Sequence, residues 1–116
     1  PAAAAKCPGP VSIAGLGVAQ VVPTGWGSPK GPAAFETTAG HLVPHMGARA
    51  YMAEACSAGA YNHSEYLALN LLGRTLSFTA DLKGAGCGCN AAVYLVNMRQ
   101  NRQVSTCNDY YCDANK

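Results

Sequence analysis

Residues 66–98 read YLALNLLGRTLSFTADLKGAGCGCNAAVYLVNM, and this stretch decides the fold class. Leu76, Phe78, Ala80 and Leu82 alternate with Thr75, Ser77, Thr79 and Asp81. Strict alternation predicts a strand with one buried face and one wet or groove-lining face. A Gly-rich connection follows at 83–88. Residues 91–98, AAVYLVNM, are apolar at most positions and predict a central strand. Two strands joined by a glycine turn are the local unit.

The flanks carry the same signal. VSIAGLGVAQVV at 11–22 is apolar but interrupted by Gly15 and Gly17, which argues against helix and for one or two short strands. The GxG within it lacks a third glycine and a following helix, so no nucleotide loop is read there. PTGWGSPKGP at 23–32 is a turn-rich loop around the only tryptophan. Trp26 either stacks on a sugar ring or plugs the edge of a core. Residues 33–40 are polar and short. A strand is expected to open at 41–45 and continue through 47–53. In it Arg49 and Tyr51 share one face, and Ala48, Ala50 and Met52 the other. Residues 54–63 read as a loop, 99–105 as a polar loop. Short strands, glycine turns and almost no helical periodicity predict an all-β, sandwich-like domain.

Composition narrows the function classes. The chain has 116 residues, room for one modest domain, with a net charge of +2 spread thinly. A nucleic-acid binder would show a clustered basic face, so no nucleic-acid partner is expected. No apolar run reaches the length of a membrane span, and no membrane partner is expected. Six cysteines in so short a chain suggest disulfides and an oxidising, extracellular compartment. Neither CGC at 87–89 nor CNDYYC at 107–112 is matched by a pair at zinc-site spacing, so no metal is expected. All of Cys7, Cys56, Cys87, Cys89, Cys107 and Cys112 are expected in disulfides, and six cysteines allow 15 pairings. Asn62-His63-Ser64 is an N-glycosylation sequon in a loop. His41, His45 and His63 are scattered without a carboxylate at a suggestive spacing, and no site is assigned to them.

Several motifs together resemble one family. LNLLGRTLSFTADL, a short loop with a cysteine, and CGCNAAVYLVNM look like the glycoside hydrolase family 7 cellulases, the cellobiohydrolases and endoglucanases. GARAYM at 47–52 and YYCDANK at 110–116 agree with that family in order and spacing. The resemblance spans roughly 42–116. The first forty residues match nothing in it, which divides the chain into a Pro/Gly/Ala-rich arm at 1–40 and a partial family 7-like sandwich at 41–116. The resemblance implies a jelly-roll, concanavalin-like β-sandwich whose concave sheet forms a cellulose-binding cleft. The family's domain is several times longer than this chain. A partial sandwich leaves an apolar sheet face exposed, so completion by another chain, or by copies of itself in an oligomer or filament, is expected.

The same resemblance assigns residues. Asn90 and Tyr94 match an asparagine and a tyrosine lining the cleft near the cleavage site. Arg49 matches an arginine reaching the glucan further out. Tyr111 and Asp113 match a cleft tyrosine and an aspartate beside the catalytic strand. Aromatic faces stack on pyranose rings, and Asn, Arg and Asp hydrogen-bond hydroxyls. A retaining glycosidase needs two carboxyl groups roughly 5 Å apart. The acids here are Glu36, Glu54, Glu65, Asp81, Asp109 and Asp113, and no E-x-D-x-x-E arrangement occurs. In the family that motif follows the piece matching YYCDANK. Catalytic residues are therefore expected to be none within 1–116, and this segment alone is expected to be inactive. No cofactor is expected.

There are departures. Cys89 stands where the family has an apolar residue, Ala91 where it has glycine, and Lys116 where it has a cysteine. Family partners for Cys87 and Cys112 would lie downstream. Two readings result: a secreted cellulase-like segment contributing glucan-cleft residues, or a non-catalytic extracellular glycan-binding or structural protein that assembles with other chains.

Overall fold

Gly15 and Gly17 take positive φ, 81° and 104°, and the apolar run 11–22 reverses there. In this computed structural model, which describes residues 5–38, 40–107 and 109–112, the run becomes two antiparallel strands. They are β1, Pro10–Ile13, and β2, Gly17–Pro23. Three more strands follow: β3 (Phe35–Thr38), β4 (His41–Pro44) and β5 (Ala50–Ala53). The only helical element among the described residues is a 3₁₀ turn at His63–Glu65. The chain is all-β with antiparallel sheets, as the glycine turns and short spacing predict.

The larger sheet has the order β1-β2-β5. Its register sets Val11 against Ala19, Val21 against Met52 and Val22 against Tyr51. Side chains alternate across a strand, so neighbours in sequence serve opposite faces. One face carries Val11, Ala19 and Val21, covered by Ile13, Phe35, Ala50, Met52 and Leu67. The other carries Val22 and Ala53 with Tyr66, Met98 and Tyr110, covered by Trp26, Tyr51, Tyr61, Val96 and Tyr111. The sheet is thus buried on both sides, with an aliphatic core and an aromatic core. The expected split of Tyr51 from Ala50 and Met52 is the same two-faced burial.

Beyond β5 the sheet is extended briefly. Ala53 forms a bridge with Tyr66, Glu54 N–H donates to Glu65 O at 2.7 Å, and Leu67 N–H donates to Met52 O at 3.1 Å. After residue 67 the ladder stops. The strands expected at 75–82 and 91–98 are not formed, and these two stretches do not pair about the Gly-rich connection at 83–88. Backbone hydrogen bonds here close only turns, Ala85 to Leu82 and Cys89 to Gly86. Alternation states which face a strand would bury; it does not supply the neighbouring backbone that a ladder requires. Phe78, Leu82, Val93 and Leu95 are accordingly 64%, 57%, 66% and 61% exposed.

Two further expectations change. The single strand predicted across 41–53 is two strands, because Ala48 N–H closes a turn onto His45 O at 2.9 Å and Gly47 takes φ 75°. The polar stretch 33–40 holds β3, which pairs with β4 as a separate two-stranded sheet. His45 joins Glu36 at 2.6 Å beside that hairpin, and Thr37 Oγ1 donates to Pro8 O at 3.1 Å, fastening the hairpin to the N-terminal segment.

Four of the six cysteines pair, as Cys7–Cys56 and Cys107–Cys112. Cys112 finds its partner within the chain, five residues away, rather than downstream. Cys87 and Cys89 carry exposed free thiols, which corrects the expectation of six oxidised cysteines for this chain. The two are separated by Gly88 alone.

Candidate functional site

Arg49 sits one residue ahead of β5 and receives Thr24 N–H on its carbonyl at 2.9 Å. Its guanidinium Nη2 donates to Asp109 Oδ2. Asp109 is 3% exposed, a buried polar residue that must be satisfied by partners. Its second oxygen, Oδ1, accepts Gly25 N–H at 2.8 Å. That amide is shared with the Tyr61 hydroxyl at 3.1 Å. Gly25 has φ 100°, and a Cβ there would stand 3.2 Å from Pro32 Cα, so the turn presenting this amide requires glycine. One carboxylate thereby joins the N-terminal loop, the start of β5 and the C-terminal segment.

The Asp109 loop is itself braced. The Cys107–Cys112 disulfide closes it, Ser105 Oγ donates to Asp109 O at 2.7 Å, and Ser105 N–H donates to Tyr110 O at 3.0 Å. Tyr51 completes the attachment: its hydroxyl donates to Tyr111 O at 3.3 Å and accepts Tyr111 N–H at 3.0 Å.

Around this centre lies an aromatic chain. Trp26 stacks on Tyr61 with centroids 5.3 Å apart, and Tyr51, Tyr61, Tyr66 and Tyr110 meet edge to face at 5.0–6.3 Å. Edge-to-face contact sets a ring's positive edge on its neighbour's negative face. Burial raises the hydroxyl pKa of all four tyrosines, that of Tyr51 to about 12, against the opposing effect of its hydrogen bond to Tyr111. The neutral phenols are therefore held in the folded state well into alkaline solution. Trp26 packs against this core with its Nε1 buried and unpartnered. Of the two roles expected for Trp26, its packing is that of a core edge.

The residues that the sequence singled out divide into two groups. Arg49 and Tyr111 meet in the Asp109–Tyr51 cluster. Asn90 and Tyr94 are displayed on the exposed segment outside the buried aromatic core, Tyr94 at 53% exposure. Asp113 lies outside the described residues. Asp109, Tyr61, Tyr66 and Tyr110 were not singled out. The pairing of Asp109 with Arg49 spans sixty residues, and nothing in CNDYYC marks which acid is buried.

The carboxylates are engaged individually. Glu36 meets His45, Glu54 accepts from Arg99 at 3.2 Å, Glu65 accepts from Ser57 Oγ at 2.7 Å, and Asp81 accepts Lys83 N–H at 3.0 Å. Asp109 is held by Arg49 and Gly25. Each of these five acts as an acceptor for a cation or a hydrogen-bond donor.

No solved structure matches the chain. The model of glycosyl hydrolase family 7 matches residues 35–115, from β3 through the Cys107–Cys112 loop, so that Arg49, Asn90, Tyr94, Asp109 and Tyr111 all fall inside it. β1 and β2 lie outside the match yet share a sheet with β5, which lies within it. With about seventy per cent of its length matched, the chain belongs to glycosyl hydrolase family 7.

Proposed function

We propose that this chain is a secreted, cellulase-like segment that contributes β-1,4-glucan contacts and does not itself cleave the glycosidic bond. The observation that carries the reading is the family match across Arg49, Asn90, Tyr94 and Tyr111. Tyr94 offers a half-exposed ring for stacking on a pyranose, and Asn90 an exposed amide for hydroxyls. Arg49, Tyr111 and Asp113 complete the contact set. The two disulfides favour an oxidising, extracellular location. Hydrolysis by the retaining route needs two carboxyl groups roughly 5 Å apart, one of them free to take and give a proton. Five of the six acids here are already tied to donors, and 1–116 holds no E-x-D-x-x-E run. Incubated with a soluble cello-oligosaccharide, residues 1–116 are expected to bind it and release no new reducing ends. Turnover by a preparation free of contaminating cellulase would refute this.

A second reading, assembly with another polypeptide, rests on the apolar side chains left uncovered at 72–95. Leu72 is 93% exposed, and Phe78, Val93 and Leu95 exceed 60%. Burying four such residues contributes roughly 6–12 kcal/mol, comparable to the stability of a domain. Sedimentation at micromolar concentration is expected to show a species heavier than the monomer. A cooperatively folded monomer would overturn this reading.

A further inference from the structure

The loop that Cys56 anchors ends in the sequence's only N-x-S/T triplet, Asn62-His63-Ser64, and the conformation of that triplet bears on its chemistry. Asn62 is exposed and extended, with φ −131° and ψ 114°, immediately ahead of the 3₁₀ turn His63–Glu65. Its Oδ1 accepts both Ser64 N–H at 3.0 Å and Ser64 Oγ–H at 2.7 Å. Two donors on one amide oxygen draw electron density from the amide and make Nδ2–H more acidic. Among the described residues no acceptor holds Nδ2. Ser64 is exposed as well, so both reactive ends of the triplet face solvent.

From this geometry we propose that Asn62 is an N-glycosylation site, modified by an oligosaccharide carried on a lipid diphosphate. In the transfer the Asn62 Nδ2–C1 bond forms and the sugar's C1–O bond breaks. The lipid diphosphate leaves with the electron pair, and one amide proton is released. Nothing is oxidised or reduced. The Ser64 hydroxyl acts through its bond to Oδ1, which explains why residue 64 must carry one. The site rests on the oxidising-compartment reading and is independent of glucan binding. The loop's other end is fixed by Cys7–Cys56, a bond formed in the same compartment.

The test is to route the 116-residue chain through a eukaryotic secretory pathway and map its tryptic peptide 50–74, from secreted or retained material alike. Most copies of that peptide are expected to carry a hexose-rich glycan on Asn62. Peptide-N-glycosidase should remove it and leave aspartate at position 62. Asn62→Gln and Ser64→Ala should each abolish the gel shift, and Ser64→Thr should keep it. An unmodified wild-type peptide 50–74, or a glycan that survives Ser64→Ala, would overturn the assignment. Because the wild-type peptide decides the question, misfolding of a variant does not obscure it.

Discussion

Replacing Cys7 and Cys56 together with serine is expected to lower the unfolding free energy by about 4 kcal/mol. The two cysteines are 49 residues apart. Cross-linking at that separation removes loop-closure entropy from the unfolded chain, and the cost grows with the logarithm of loop length. The same relation gives about 2 kcal/mol for Cys107–Cys112, whose separation is 5. The longer loop therefore matters more. The bond also has a topological task. It ties the segment ahead of β1 to the loop after β5, fastening the N-terminal strands across the sheet to residues within the family match. Urea unfolding of the double variant is the check. A midpoint equal to wild type would mean that the β1-β2-β5 ladder holds these ends without the cross-link.

The second large effect belongs to Asp109. Asp109→Ala takes from the Arg49 guanidinium the buried carboxylate it donates to and leaves the Gly25 amide with only the Tyr61 hydroxyl. Removing one partner of a buried ion pair costs about 3–5 kcal/mol, because the survivor keeps its desolvation penalty. Arg49 is 26% exposed on its side chain, so water recovers part of that penalty and the low end, about 3 kcal/mol, is expected. In a domain of this size that lowers Tm by about 15 °C. Asp109→Asn keeps an acceptor for Gly25 and should cost less. Arg49→Met combined with Asp109→Ala should cost less than the sum of the two single changes, since no charge is then left buried. Thermal unfolding of wild type and the four variants settles the matter, and additive losses would show that the two groups do not act as a pair.

These two attachments show which features could be read from the sequence. The glycine-interrupted run 11–22 was legible as one or two short strands, and it is two because Gly15 and Gly17 break the apolar pattern where the chain turns. The opposite facing of Tyr51 against Ala50 and Met52 was legible because it follows from the strand period alone. β3 was not legible: FETT is half polar, its hairpin is largely exposed, and no apolar face announces it. At 75–82 the error ran the other way. The alternation is clear, but a strand needs a neighbour on at least one edge, and that is a property of the whole chain. Arg49 and Tyr111 were singled out through family motifs as glucan contacts, and the fold sets both in the Asp109–Tyr51 cluster; Asp109 was not singled out, because only the fold reveals that it is the acid beside Arg49. The cysteines show the same limit, since their number signals oxidation while their pairing depends on proximity.

The claim that this chain contacts glucan is tested most directly by calorimetric titration of a cello-oligosaccharide into wild type and Tyr94→Ala. Tyr94 is half exposed on a segment without a ladder, and the melting temperature of the variant is measured alongside its affinity to separate lost contact from lost fold. A sugar ring stacked on it is worth about 1.4 kcal/mol at most, equivalent to about tenfold in Kd. The expected result is saturable binding by wild type, weakened several-fold to about tenfold in the variant, with the same melting temperature. Absence of binding by wild type at millimolar ligand, or equal affinity in the two proteins, would contradict the account.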